Sequence, residues 1–215
     1  MKRHSASRGA MLLVTAVALS LAGCVGVADA TRYYVLSSIS AGPSGSQRTP
    51  ASSAAAGVAV GVGPVLIPGY LNRAQIVTRS AGDDVEISMY HRWAEPLENG
   101  IAQVLANDLA TQVGSERIAV FPWRGGIARV LDYQVAVVVL RFEGLPGGQV
   151  TLDARWRLVD RDGQELALRR STMSEPVTGS GYQSLVMGMN RLLDTLAREI
   201  AAEILARADA RASGS

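Results

Sequence analysis

Three consecutive predicted strands between residues 133 and 174 restrict the folds that this chain can adopt. Tyr133 to Phe142 and Val150 to Asp160 are predicted as long strands, and Leu145-Pro-Gly-Gly148 between them suits a hairpin turn. Asp160-Arg-Asp-Gly163 then turns the chain into a third strand, Glu165 to Ser174. Strands joined by short turns form an antiparallel meander, so we expect the rest of the chain to be built around this sheet.

Two amphipathic helices are predicted, one before and one after the meander. In the first, Pro96 suits the first turn and Gly114 a stop signal. The second covers about Tyr182 to Arg207, and its apolar face packs either on the sheet or on a partner. Apolar residues recur at three- and four-residue steps in both: Leu97, Ile101, Val104, Leu105, Leu109 and Val113, then Leu185, Met189, Leu192, Leu196, Ile200 and Ile204.

Short strands are predicted in the N-terminal half, at Arg32 to Ser37, Val58 to Val65, Gln75 to Arg79 and Asp84 to Tyr90, with another at Arg117 to Phe121. Together these patterns predict an α/β fold in one domain, residues 31–207. They indicate a mixed, largely antiparallel sheet and two principal helices. The Ser-, Ala- and Gly-rich residues 38–57 are predicted as a flexible loop, and residues 208–215 as a frayed tail.

The N-terminus has the order of a bacterial lipoprotein signal. A positively charged start is followed by a short apolar run, too short to span a bilayer, that ends in Leu21-Ala22-Gly23-Cys24. We therefore expect export, removal of residues 1–23 and covalent lipid on Cys24, with acyl chains that anchor the chain to a membrane. Residues 24–30 would form a short tether that keeps the folded part close to the bilayer, and Val25 favours the outer membrane.

Net charge excludes nucleic acid as a partner. Three of the 21 basic residues precede Cys24 and all 19 acidic residues follow it, so the mature chain has 18 basic and 19 acidic residues. A net charge of −1 lacks the basic character that nucleic acid binding requires. Cys24 is the one cysteine, so a disulfide within the chain is excluded as well.

No pattern in the sequence predicts catalysis or metal binding. His91 is the one histidine after Cys24, and zinc sites need several clustered Cys, His or acidic ligands. No serine sits in a G-x-S-x-G turn, and Gly61-Val-Gly63 lacks the lysine and the following helix of a phosphate-binding loop. We therefore expect no enzymatic activity and no cofactor other than the lipid on Cys24.

An ordered set of motifs resembles the PqiC (YmbA) family of ABC-type transport auxiliary lipoproteins. The most distinctive is Tyr90-His-Arg-Trp-Ala-Glu-Pro-Leu97, where a strand leads into a helix. The others, in chain order, are Tyr33-Tyr34-Val-Leu36, Gly61-Val-Gly-Pro-Val65, Pro68-Gly-Tyr-Leu-Asn-Arg73, Gln75-Ile-Val-Thr-Arg79, Phe121-Pro-Trp123, Asp132-Tyr133, Trp156 and Leu196-Ala-Arg-Glu-Ile-Ala201.

The resemblance implies a non-enzymatic role at the periplasmic face of the outer membrane. The lipoprotein would dock an MCE-domain protein that spans the periplasm, support lipid movement and membrane integrity, and self-associate. An alternative of another class is a structural or assembly lipoprotein of a different envelope or secretion complex. A third is a carrier with an internal lipid cavity.

Seven residues are candidates for contact with a partner or with lipid: Tyr70, Leu71, Arg73, Arg79, His91, Trp93 and Trp123. Trp93 has two open interpretations, a structural corner or an interface anchor. Arg73 and Arg79 pair either with acidic groups on a partner or with lipid phosphates, or they form local ion pairs with carboxylates of this chain.

Overall fold

The computed structural model of this protein describes residues 30–39, 57–80 and 82–214. The signal peptide, Cys24, the tether up to residue 29 and loop residues 40–56 lie outside these ranges. Within them the strands are β1 Arg32–Tyr34, β2 Val60–Leu66, β3 Gln75–Arg79, β4 Val85–Trp93, β5 Ile118–Val120, β6 Tyr133–Gly144, β7 Gln149–Asp160 and β8 Glu165–Pro176. The helices are α1 Leu97–Val113 and α2 Tyr182–Ser213, with a short 3₁₀ helix at Ile127–Val130.

The strands form two sheets. The larger has the order β5-β2-β6-β7-β8, in which β6, β7 and β8 are the expected antiparallel meander and β2 runs parallel to β5 and β6. The smaller has the order β1-β4-β3, with β1 parallel to β4 and β3 antiparallel to it. The predicted α/β class with a mixed, largely antiparallel sheet is confirmed, although the strands divide between two sheets.

Helix α1 has the predicted bounds and the predicted buried face. Pro96 precedes its first residue, where the missing N–H of proline costs no helical hydrogen bond. Gly114 follows its last residue in the left-handed conformation, at φ 73°, and its N–H donates to the carbonyl of Ala110 over 3.1 Å. All six predicted apolar residues of the stripe are buried.

Helix α2 is longer than its apolar pattern predicts. It continues past Arg207, where we expected a frayed tail to begin, and ends at Ser213. Ala208 is buried, and the Arg211 guanidinium lies 5.0 Å from the centre of the Tyr133 ring and 3.6 Å from the Asp160 carboxylate. The last turns are therefore held by contacts with the sheet that the sequence of the tail does not indicate.

The core lies between one face of the larger sheet and the two helices. Alternate residues of the meander strands point into it, among them Val137 on β6 and Trp156 on β7. Asp194 of α2 is also buried, although its spacing from Arg198 predicts an exposed helical ion pair. The Gln112 side chain of α1 donates to its carboxylate over 2.9 Å and so links the two helices.

Neither helix in the described ranges combines the length and the hydropathy that a bilayer span requires.

Candidate functional site

The seven candidate contact residues fall into separate places and do not form one site. Tyr70 and Arg79 meet at a buried carboxylate between the two sheets. His91 lies where β4 approaches the start of α2, and Trp123 lies against β2 at the other end of the larger sheet. The remaining candidates, Leu71, Arg73 and Trp93, have mostly buried or half-buried side chains.

Glu143 is the centre of the first cluster, although it is not among the residues that the sequence predicts as candidates. Its side chain is fully buried, and it accepts hydrogen bonds from Arg79 Nε at 2.8 Å and the Tyr70 hydroxyl at 2.9 Å. Arg141 Nε, at 3.1 Å, and the backbone N–H of Phe142, at 2.9 Å, complete its set of donors. A buried carboxylate with four donors is well compensated, so this cluster joins the smaller sheet to the larger one.

The cluster changes what Arg79 and Tyr70 can contribute to binding. The Arg79 side chain is 16% exposed and is occupied by Glu143, which is the local ion pair that the sequence left as one of two possibilities. Burial, and then the hydrogen bond to Glu143, raise the pKa of the Tyr70 hydroxyl, which therefore stays protonated as a donor. A cavity of about 270 Å³ opens beside Arg79, Arg141 and Glu143.

Trp93 is part of the hydrophobic core. It is 6% exposed, and its backbone N–H donates to the carbonyl of Ala74 over 2.6 Å. Its neighbour in the parallel register is Tyr34 of β1, so the residue joins β4 to β1 and to the residue that precedes β3. This position favours the structural corner among the two interpretations of Trp93. Leu71 is also buried, at 3% exposure.

His91 belongs to an aromatic cluster that the sequence did not predict. Its ring stacks on Tyr182, with centroids 3.8 Å apart and planes at 10°, and its Nδ1 shares a hydrogen bond of 2.8 Å with the Tyr34 hydroxyl. Burial, and then the nearby Arg32 guanidinium, lower the pKa of His91, so the ring is neutral near pH 7. The cluster borders an open cavity of about 1000 Å³ between β1 and the first turns of α2.

Trp123 covers the end of the larger sheet. Its ring lies edge to face with Phe121, with centroids 5.3 Å apart, and its Nε1 donates to the carbonyl of Ala119 over 3.3 Å. A Cβ at Gly61 would stand 2.5 Å from the Trp123 ring, so the glycine is needed for this close approach. The ring is half-buried, whereas Phe121 is 46% exposed.

Arg73 differs from Arg79 in having no ion pair among the described residues. Its Nε is buried and lacks a hydrogen-bond partner there. Across the same ranges, no group of three or more His, Cys, Asp or Glu residues is arranged to hold a metal ion. These clusters can order strands and present cations or aromatic rings to a partner.

Comparison with known families gives one match over most of the chain. The family described as ABC-type transport auxiliary lipoprotein component matches residues 34–201. The chain is also 28% identical over 192 residues to the intermembrane transport lipoprotein PqiC of Escherichia coli (strain K12), covering 89% of this chain and 96% of that protein. A PqiC lipoprotein from Shigella flexneri matches with the same identity and coverage.

Two solved structures share the fold. One is a crystal structure of an uncharacterized protein, with a TM-score of 0.64 and 22% identity over 81% of this chain and 99% of that chain. The other, from Xanthomonas campestris, has a TM-score of 0.63 and 15% identity over 84% of this chain and 99% of that one. At these identities the likeness concerns the arrangement of strands and helices alone.

Proposed function

Because this chain belongs to the ABC-type transport auxiliary lipoprotein component family, we propose that it is the outer-membrane subunit of an envelope lipid-transport system. Lipid on Cys24 anchors it at the periplasmic face of the outer membrane. There it docks an MCE-domain protein that crosses the periplasm, self-associates around that docking point and supports membrane integrity. The family is one of transport auxiliary lipoproteins and not of enzymes.

The observation that carries this proposal is the joint presence of the family match and the lipoprotein signal that ends at Cys24. The family match begins at residue 34, ten residues after Cys24. At about 3.3–3.6 Å per extended residue, the start of the matched domain lies within roughly 35 Å of the lipidated cysteine along the chain. A subunit tied this closely to a bilayer suits the end of a periplasmic bridge, where lipid has to enter or leave the membrane.

A co-purification from cells tests the proposed partner. The full chain, tagged at its C-terminus, is extracted from the envelope in mild detergent, and the bound proteins are identified by mass spectrometry. We expect an MCE-domain protein with the wild-type chain and its loss with Cys24→Ala, because the unlipidated chain no longer reaches the membrane. Trp123→Ala tests the half-buried aromatic candidate. Recovery of the MCE-domain protein with this variant is compared with recovery by the wild-type chain, once both are shown to be folded.

Another result would replace the proposal. Recovery of assembly or secretion components, with no MCE-domain protein in several detergents, would contradict lipid transport. It would identify the chain as a structural lipoprotein of another envelope complex.

A further inference from the structure

The face of the larger sheet that points away from the helices carries a row of exposed side chains across four strands. Leu66 on β2 is paired with Val138 on β6, Val138 with Arg155 on β7, and Arg155 with Arg170 on β8. Paired residues present their side chains on the same face, so these four are neighbours in one line. Leu66 is 55% and Val138 40% exposed.

The next row makes this face cationic as well as apolar. Arg157 is paired with Leu168, which is 64% exposed. Arg170 is held by two hydrogen bonds to the Asp153 carboxylate, at 2.9 and 2.6 Å. By contrast, Arg155 and Arg157 are exposed and make no hydrogen bond or ion pair with any described residue. We call this surface the cationic face, and it consists of Leu66, Val138, Arg155, Arg157 and Leu168.

The hairpin of β3 and β4 has the opposite charge and a similar apolar content. Val85, Ile87 and Met89 alternate along β4 and so lie on one side of it. Met89 is 72% and Ile87 50% exposed. Large apolar side chains grouped on a surface usually mark an interface. Two exposed acids in the turn before them have no ion pair in the described ranges, and these five residues define the acidic hairpin: Asp83, Asp84, Val85, Ile87 and Met89.

We propose that the acidic hairpin of one copy of this chain docks on the cationic face of a second copy. The charges are complementary, because the hairpin has two unpaired acids and the face has two unpaired arginines. The exposed Ile87 and Met89 side chains would be covered by Leu66, Val138 and Leu168. The inference rests on the self-association in the proposed function and adds the two surfaces that form it.

The charge signs also determine which surfaces meet. Two cationic faces, or two acidic hairpins, would repel each other, so a two-fold contact between like surfaces is disfavoured. Each contact therefore joins a hairpin to a face, either reciprocally within a two-fold pair or in one direction around a closed ring.

Charge reversal in the full lipidated chain tests both surfaces. The variants are Arg155→Glu with Arg157→Glu, Asp83→Arg with Asp84→Arg, and the combination of all four. Their masses in mild detergent are measured by light scattering after gel filtration, at low and high salt, and their melting temperatures confirm folding. Arg124→Glu with Arg129→Glu is the matched control, since both arginines are exposed outside the two surfaces.

We expect an oligomer for the wild-type chain and the control, and at least tenfold weaker association for each charge-reversed pair. The four-substitution variant should associate again, as should an equimolar mixture of the two pairs, because both restore opposite charges. Association should weaken with salt, since exposed charges are screened. A monomeric wild-type chain, an oligomer unaffected by either pair, or a four-substitution variant that stays monomeric would overturn the inference. Recovery of the MCE-domain protein is measured separately, so a failed contact leaves the proposed docking of that protein standing.

Discussion

Arg79 and Glu143 form an ion pair that links β3 of the smaller sheet to β6 of the larger one, with Arg79 Nε 2.8 Å from Glu143 Oε1. The Glu143 side chain is fully buried, so its charge depends on this partner and on the Tyr70 hydroxyl. The contact explains how a small three-stranded sheet with few core residues is fixed to the rest of the fold.

Arg79→Ala is expected to destabilise the protein by about 1.5–3 kcal/mol, because the buried carboxylate loses the more buried of its two arginine partners. Arg141→Ala is the matched control, since Arg141 bonds the same carboxylate from a side chain that is 46% exposed. Its loss should cost about 1 kcal/mol or less. Chemical denaturation of both variants measures the difference, and equal losses would contradict the assignment of Arg79 as the main partner.

Trp93→Ala is expected to lower the free energy of unfolding by about 3–5 kcal/mol, because it opens a cavity in the core. Tyr33→Ala, at a residue that is 63% exposed on the neighbouring strand, should change stability by no more than about 0.5 kcal/mol. Thermal melts of both variants check this. A Trp93→Ala protein that melts like wild type but no longer recovers its partner would support the interface interpretation instead.

Gly61→Ala should destabilise the protein by about 1–3 kcal/mol, because the added Cβ would lie 2.5 Å from the Trp123 ring and 2.6 Å from Leu131 Cδ1. Gly69→Ala is the control, since a Cβ there meets no atom within 4 Å. Denaturation followed by tryptophan fluorescence reports both stability and any displacement of the Trp123 ring. Wild-type stability and fluorescence in Gly61→Ala would show that this end of the sheet is loosely packed.

The stability of the protein should decrease on acidification below about pH 6.5, through His91. Its pKa is lowered in the folded state, so the unfolded chain takes up the proton first, and a fall in pH favours unfolding until the folded protein is protonated as well. Above the ordinary pKa of about 6.5 the contribution of His91 is constant. Melting temperatures at pH 7.5 and 5.5 should differ more for wild type than for His91→Gln, and an equal difference would exclude His91 as the source.

The sequence predicts the helices well because the spacing of apolar residues within each segment indicates both the helix and its buried face. The stripes from Leu97 to Val113 and from Leu185 to Ile204 are buried as expected. The end of α2 lies beyond its predicted position because Ala208 and Arg211 are held by the sheet, through contacts that are distant in sequence. The meander is predictable because short turns join its strands, so strands that are consecutive in the sequence are also neighbours in the sheet.

The division into two sheets and the clusters at Glu143 and His91 could not be predicted, because both depend on which distant strands become neighbours. Glu143 follows Arg141 and Phe142 in a strand of alternating character, and that pattern predicts an exposed acid as readily as a buried one. Tyr182 reaches His91 only through the packing of α2 beside β4. The exposed Arg155 and Arg157, by contrast, are indicated by their alternation with buried Trp156 and Leu158.

Anchoring through Cys24 is the claim on which the proposed function depends, and intact mass combined with membrane separation tests it directly. The wild-type chain should begin at Cys24, carry the added mass of the acyl chains and fractionate with the outer membrane. Cys24→Ala should lack that mass and leave the outer-membrane fraction. A wild-type chain that is cleaved elsewhere and carries no lipid, or that fractionates with the inner membrane, would contradict the proposal.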